Sequence, residues 1–230
     1  MEGSVPGGGK ARDLKMSDVE ALNDTNKAPA IATVIPVIGG DALATYNATT
    51  FRTSVAGSTT DYLSVNNREI VVGQMFTEEQ ARTASKVVLL GPNPVASLYG
   101  GEAGKAIGSK VRLGRATFKV IGVLKSDGHD DDIALMPLQT ARANLVGGDS
   151  VTTMAIKATN VASVPAAVDQ ITRILSDRHN ISDQAKRDFE VTALQSQLDQ
   201  INQFLMFLTL FIVAVAGISL IVGAIGVANI

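Results

Sequence analysis

The chain has 230 residues, a formal net charge of −2, and 20 basic residues that are dispersed along the sequence. This length allows one domain or two small subdomains, and the dispersed basic charge leaves no footprint for nucleic acid, so we expect no nucleic-acid partner. Cysteine is absent, which excludes disulfide bonds, thiolate catalysis and cysteine-ligated zinc.

Residues 1–13 contain several glycines and no apolar stretch, so we interpret them as a flexible linker and not as a signal peptide. The following block, residues 14–86, mixes helices and strands. Its predicted elements are a helix from Ser17 that ends before Pro29, strands over 31–38, 45–55 and 69–73, a helical turn near Tyr62, and a helix that begins after Thr77.

Local signals define several of these boundaries. Two capping boxes are predicted, Ser17 with Glu20 and Thr77 with Gln80. Gly39–Asp41 is predicted to be a turn between two strands that form a hairpin. Pro36 cannot donate a backbone hydrogen bond, so we expect its strand to lie at a sheet edge or to contain a bulge.

The second block, residues 87–148, is rich in strands and glycine, and the third block, 149–194, returns to a simple alternation of elements. The predicted strands are 86–90, 109–113, 117–124, 133–136, 152–158 and 189–194, and the predicted helices are 92–99, 138–145 and 165–179. We therefore predict an α+β fold with two subdomains. Residues 14–86 and 149–194 would form a discontinuous α/β subdomain, into which the β-rich block 87–148 is inserted.

The most distinctive segment is Phe204–Ile230, which contains no charged side chain. About 20 apolar residues in a helix cross the ~30 Å hydrocarbon core of a bilayer, so this segment predicts a transmembrane helix. A helix of a soluble domain would instead show a polar face. Its abrupt end at Ile230 suggests that the working protein is longer.

The same helix is predicted to begin at Gln195, before the membrane, as a stalk. An apolar stripe along this stalk consists of Leu194, Leu198, Ile201 and Leu205. It would pack on a partner helix, or alternatively on the chain's own domain. Gly217, Gly223 and Gly226 could allow close packing of membrane helices, although small residues are common in such helices for other reasons. Between Asp188 and Ile230 there is no Lys or Arg, which favours an extracytoplasmic position for the domain.

Five segments together resemble the MacB/FtsX-type ABC transporter permeases. They are residues 55–63 (VAGSTTDYL), 70–79 (IVVGQMFTEE), 87–100 (VVLLGPNPVASLYG), 107–124 (IGSKVRLGRATFKVIGVL) and 210–230. They occur in the order that the family shows, in its extracytoplasmic core and second transmembrane helix. Leu63 replaces the usual aromatic residue and Gln74 the common arginine. Pro137-Leu138 is similar to the family's "PL", which follows a variable loop.

The resemblance implies an extracytoplasmic core with a discontinuous porter subdomain and an inserted subdomain. It also implies a permease homodimer or heterodimer in the bacterial cell membrane, driven by a cytoplasmic ABC-type ATPase through mechanotransmission. A complete family permease has four transmembrane helices and a cytoplasmic coupling loop, so we expect this chain to be a fragment of one. The alternative is a stand-alone membrane-tethered binding or sensor domain.

No pattern in the sequence predicts an enzyme, a cofactor or a metal site. There is no G-x-S-x-G nucleophile motif. Residues 128–132 (GHDDD) have metal-ligand side chains, but neighbouring carboxylates converge on one ion only in a tight loop, so we predict a solvated acidic loop. His179 ends a predicted helix, where a cation suits the helix dipole, and we predict a structural role for it.

Overall fold

The computed structural model describes residues 14–128, 131–145, 148–183, 187–193 and 204–217. The chain forms two compact units, Met1–Phe189 and Glu190–Ile230.

The first unit contains short helices and strands in a mixed order. The strands are β1 Leu14–Lys15, β2 Ile31–Tyr46, β3 Thr49–Ser58, β4 Ile70–Gly73, β5 Val87–Leu90, β6 Lys110–Leu113, β7 Ala116–Leu124, β8 Ile133–Pro137, β9 Ser150–Val151 and β10 Thr153–Ala158. The helices are α1 Met16–Leu22, α2 Tyr62–Val65, α3 Glu78–Arg82, α4 Pro92–Tyr99, α5 Ala103–Ala106, α6 Leu138–Asn144 and α7 Val164–His179, with a 3₁₀ turn at Val161–Ser163.

Within the described residues, eight strands form one mixed sheet. Seven of them follow the order β10-β2-β3-β8-β5-β7-β4, and β6 pairs with both β2 and β7. The pairs β3 with β8 and β5 with β7 are parallel, whereas the other pairs are antiparallel. Strand β10 of the third sequence block pairs with β2 of the first, and the strands of the second block continue the same sheet. The fold is therefore a mixed α/β one, and the boundaries of the two subdomains stay a prediction.

The predicted turn at Gly39–Asp41 is wrong, because β2 continues through it. Gly39, Gly40 and Asp41 pair with residues 56, 55 and 54 of β3, so the hairpin turns later, at Asn47, which has a φ of 51°. The glycines resemble a turn in the sequence, but pairing with β3 satisfies their backbone groups in extended form.

The expected position of Pro36 at an edge or a bulge is also wrong, because β2 lies between β10 and β3 in the sheet and the register shift of the β10–β2 pair is at Lys157 and Ala158. Pro36 lies opposite Met154 of β10, and its carbonyl oxygen accepts a hydrogen bond of 2.8 Å from the Ser58 hydroxyl. Pairing of β2 with β3 begins only at Ile38. The missing N–H of Pro36 therefore removes no hydrogen bond from the ladder.

One of the two predicted capping boxes is confirmed. The Gln80 N–H donates to the Thr77 hydroxyl and the Thr77 N–H donates to the Gln80 side chain, at 3.2 and 3.0 Å. The box of Ser17 with Glu20 is wrong, since the N-cap of α1 is Lys15 and its N–H donates to the Asp18 carboxylate.

Most other elements in the first unit appear near their predicted positions. The short helix α5 was not predicted, and the strand predicted over 189–194 is wrong for residues 189–193, which are irregular. Its last residue, Leu194, lies outside the described residues. The helix predicted over 165–179 is confirmed as α7.

Both faces of the sheet carry a hydrophobic core. Alternating side chains of β5 point to opposite faces, as the two-residue period of a strand requires. Val88 and Leu90 pack with Phe118 and with side chains of α4 and α6. Val87 and Leu89 pack on the other face, with Tyr62 of α2 and Phe76.

A group of ionisable side chains, the terminal ion cluster, consists of the buried Asp18 and His179, the partly buried Asp188 and the more exposed Arg178. Arg178 Nε donates to Asp18 Oδ1 at 2.7 Å. His179 Nε2 lies 3.5 Å from Asp18 Oδ2, and His179 Nδ1 lies 2.9 Å from Asp188 Oδ1. The predicted structural role of His179 agrees with these contacts. The contacts connect α1, the C-terminal end of α7, and the irregular segment after it.

The terminal ion cluster predicts a dependence of stability on pH. Burial raises the pKa of Asp18, but hydrogen bonds from Arg178, the Lys15 N–H and His179, together with the Arg178 charge, outweigh burial and lower this pKa below its usual value. A lowered folded-state pKa means that Asp18 stabilises the fold above the unfolded pKa of about 3.9, and that this contribution is lost as the pH falls through the folded pKa.

We therefore expect Asp18→Asn to lower the free energy of unfolding at pH 7, and the difference from the unsubstituted chain to shrink below about pH 4. Urea titrations at pH values from 7 to about 3 would measure this. Asp169→Asn, at an exposed position on α7, is the control. A difference that stays constant over this range would contradict the assignment.

Candidate functional site

A cleft opens at the carboxyl ends of two neighbouring parallel strands, β3 and β8, where Ser58 lies opposite Pro137. The helices that follow the two strands lie on opposite faces of the sheet. Tyr62 of α2 belongs to the core of one face, and Ala141 of α6 belongs to the core of the other. In open α/β sheets, this crossing of connections to opposite faces creates the crevice in which ligands bind.

The cleft has a volume of about 550 Å³, which is within the range of small-molecule sites. Its lining combines hydroxyls, carboxylates, a guanidinium and an amide with a larger apolar surface. The lining residues are Ser58, Thr59, Thr60, Glu78, Glu79, Ala81, Arg82, Leu138 and Gln139. Residues 55–63 and 70–79, two of the segments that carry the family resemblance, supply five of these nine side chains.

Three consecutive hydroxyls at the end of β3 have different hydrogen-bond environments. Ser58 donates to the carbonyl of Pro36, and Thr60 donates to Glu78 Oε1 on the opposite wall. The Thr59 Oγ1 is buried and has no hydrogen-bond partner among the residues that the structure describes. Because a buried polar atom without a partner is rare, Thr59 is the lining residue that a bound polar group would satisfy.

Local sequence explains how the walls are positioned. The Thr77 cap fixes the start of α3 and so the positions of Glu78 and Glu79. Gly57 lets α6 approach β3, since a Cβ atom there would lie 2.3 Å from the Cβ of Ala141. The carboxylates and hydroxyls that line the cleft can accept hydrogen bonds from a ligand. The sequence did not indicate this cleft, because one of its walls belongs to α6, which lies far along the chain from the other lining residues.

The buried guanidinium of Arg68 pairs with carboxylates at the acidic loop, a contact that the sequence did not indicate. The side chain of Arg68 is 1% exposed, and its Nε lies 3.3 Å from Asp127 Oδ2. Its Nη2 lies 3.8 Å from Asp131 Oδ1, and the Ser126 hydroxyl donates to the same carboxylate. The prediction of a solvated loop over residues 128–132 is therefore wrong for Asp131, which pairs with Arg68, as does Asp127 just before the loop. Residues 129–130 lie outside the described residues.

No group of three or more His, Asp or Glu side chains that could hold a metal ion occurs in the described part of the chain.

Of the residues predicted for stalk and membrane packing, the structure describes two, Leu205 and Gly217. Both lie in a helix over residues 204–217, which we call the apolar helix, and whose side chains are exposed. The other predicted positions, Leu194, Leu198, Ile201, Gly223 and Gly226, lie outside the described residues. Among the helices described, none is both long enough and apolar enough to cross a membrane. The predicted stalk and transmembrane helix over 195–230 stays a prediction.

Comparison with known proteins connects this fold to transporters. Residues 2–174 match the family described as MacB-like periplasmic core domain. The macrolide export ATP-binding/permease protein MacB of Rhodospirillum rubrum is 32% identical over 186 residues, which cover 78% of this chain and 28% of that protein. MacB of Bdellovibrio bacteriovorus is 27% identical over 226 residues, or 94% of this chain and 34% of that protein.

A pyoverdine export ATP-binding/permease protein, PvdT of Pseudomonas entomophila, is 28% identical over 223 residues, or 94% of this chain and 33% of that protein. The chain thus spans about a third of the length of these curated relatives.

Two solved structures share the fold. The periplasmic region of MacB from Actinobacillus actinomycetemcomitans has a TM-score of 0.70 at 20% identity, and the match covers 84% of this chain and 85% of that one. The extracellular domain of the noncanonic ABC-type transporter YknZ from Gram-positive bacteria has a TM-score of 0.63 at 17% identity, over 73% and 85% of the two chains.

Proposed function

The chain belongs to the MacB-like periplasmic core domain family, and on this premise we propose that it is the extracytoplasmic part of an ABC transporter permease. The resemblance of its sequence to MacB/FtsX-type permeases is confirmed. In this proposal the domain converts ATP hydrolysis by an ABC-type ATPase into export or extraction of a substrate by mechanotransmission. The domain itself catalyses no reaction.

The apolar helix is the observation in the structure that carries this proposal. Its 14 residues include no charge, and its apolar side chains are exposed. The helix contains one hydroxyl, that of Thr209, which donates to the carbonyl of Leu205 at 2.8 Å. A helix that satisfies its own polar groups and exposes apolar side chains suits a lipid or helix-packed environment and not water.

The relatives are named as exporters of macrolides or pyoverdine, so these compounds are the candidate substrates of the proposed transporter. The ATPase is proposed as a separate subunit or as a further part of a longer chain, because the relatives are ATP-binding/permease proteins about three times the length of this match. The permease is further proposed to act as a homodimer or heterodimer in the bacterial cell membrane.

The stalk positions give the decisive experiment. The complete permease and its ATPase would be expressed in a bacterial host that lacks its own exporters, and cellular accumulation of labelled macrolide and labelled pyoverdine would be measured. We expect Leu198→Asp combined with Ile201→Asp to abolish ATP-dependent export, since a charged stripe cannot pack on a partner helix. The ATPase should still bind nucleotide.

The matched control is Gln197→Asp combined with Gln200→Asp, which adds the same charge outside the stripe and should leave export intact. Unchanged export by the Leu198 and Ile201 double variant would argue against a force-bearing stalk. The alternative, a stand-alone sensor domain, predicts that no labelled compound is exported and that removal of the ATPase changes nothing.

A further inference from the structure

The terminal ion cluster lies where both ends of the folded domain meet. Asp18 belongs to α1, the first helix of the domain, and Asp188 lies two residues before the second unit begins at Glu190. His179 stands between the two carboxylates, which are 170 positions apart in the chain. The buried His179 side chain therefore connects α1, near the start of the domain, with the segment around Asp188.

The segment around Asp188 contacts the end of α7 although it is neither helix nor strand. Asp188 contacts His179 Nδ1 with both carboxylate oxygens, at 2.9 and 3.0 Å. The ring of Phe189 is buried and meets the His179 ring edge-on, with 6.1 Å between the ring centroids. The Arg187 guanidinium lies 5.6 Å from the centroid of the Phe189 ring. The contacts of Asp188 and Phe189 with His179 connect this irregular segment to the end of α7, and the contact of Arg187 with Phe189 lies within the segment.

A single imidazole, that of His179, connects the two carboxylates of the cluster. Both ring nitrogens of His179 face carboxylate oxygens, and an ionised carboxylate can only accept a hydrogen bond. Arg178 contacts the other oxygen of Asp18, so removal of any one member takes a contact away from at least one of the others.

We propose that His179 is the positioning residue through which displacement of the segment at Asp188 is passed to α1. The path runs from Asp188 through the imidazole to Asp18, which is anchored to the start of α1 by its hydrogen bond with the Lys15 N–H. The proposal rests on the proposed function, because it assigns the cluster to the transmission of movement between the ends of the external domain.

The first test uses the 230-residue chain in detergent and needs no ATPase. Backbone hydrogen exchange would be measured in α1 for Asp188→Ala, for His179→Gln and for the control Asp177→Ala, at an exposed position of α7. We expect both cluster variants to speed exchange in α1 by about tenfold, while the control leaves it unchanged. Faster exchange only near residue 188, with α1 unchanged in Asp188→Ala, would overturn the proposal.

The second test uses the complete transporter with its ATPase. We expect His179→Gln to lower the amount of substrate exported per ATP hydrolysed by about tenfold, while ATP hydrolysis and the amount of folded permease are maintained. A purely structural role would lower export and hydrolysis together and leave their ratio constant, which would overturn the proposal. If the unsubstituted transporter exports nothing, the proposed function fails, and the exchange result in α1 then decides the role of the cluster.

Discussion

Replacement of Arg68 by methionine should lower the free energy of unfolding by about 3 kcal/mol. Methionine keeps the apolar part of the side chain but removes a guanidinium that is almost fully buried between Asp127 and Asp131. Loss of one member of a buried ion pair costs about 3–5 kcal/mol because the remaining charge has no partner. The two carboxylates are partly exposed, so we expect the lower end of this range.

The matched control is Arg52→Met. Arg52 also pairs with a carboxylate, Asp41, at 2.9 Å, but its side chain is 77% exposed. An exposed pair contributes about 0–1 kcal/mol, so this variant should unfold almost as the unsubstituted chain does. Urea denaturation of the two variants measures the comparison. Equal losses of stability would show that the burial of Arg68 is not what makes its pairs important.

The second large effect is expected at Gly57, where β3 and α6 touch. A Cβ atom there would lie 2.3 Å from the Cβ of Ala141 and 3.5 Å from the Cα of Leu138. Ala141 is fully buried, so α6 cannot move away without opening the core. We expect Gly57→Ala to destabilise the fold by about 3 kcal/mol, at the upper end of the cost of overpacking.

A compensating substitution makes the cause testable. Ala141→Gly alone should cost about 1 kcal/mol through its effect on helix propensity. Combined with Gly57→Ala, it removes the clash, so the double variant should be more stable than Gly57→Ala alone. Gly104→Ala, where an added Cβ meets no atom within 4 Å, controls for the general effect of replacing glycine. Strict additivity of the two free-energy changes would reject a direct clash.

The same contact connects stability with the cleft. Leu138 and Gln139 form one wall of the cleft, and they begin the helix that Gly57 allows to approach. A shift of α6 in Gly57→Ala would therefore displace this wall relative to Ser58 and Thr59. The cleft and the terminal ion cluster are separate features, since the cleft is formed at the ends of β3 and β8 and the cluster by α1, α7 and residue 188.

Elements with strong local signals could be predicted from the sequence. The Thr77 cap, Pro92 at the start of α4 and Gly114 between β6 and β7 each appear where the sequence indicates. Such signals depend on residues that are close together in the sequence, so they predict the ends of helices and strands without knowledge of the tertiary structure. The family resemblance was also accessible, because it rests on five short segments in a fixed order.

Predictions failed where a distant partner decides the structure. Gly39–Asp41 has the composition of a turn, yet its pairing with β3 keeps it extended. Arg68 stands in a polar loop, and no neighbouring residue indicates that two aspartates some 60 positions later will enclose it. The sequence likewise places His179 at a helix end but does not connect it with Asp18, 161 positions earlier.

The sequence by itself determined the composition of the chain, most helix and strand positions, the uncharged segment 204–230 and the relation to transporter permeases. Only the tertiary structure decided that three sequence blocks share one sheet, that a cleft opens between β3 and β8, and that Asp18, His179 and Asp188 meet. The physical reason is that hydrophobic period and capping are local properties, whereas strand pairing and the compensation of a buried charge depend on residues that come together only on folding.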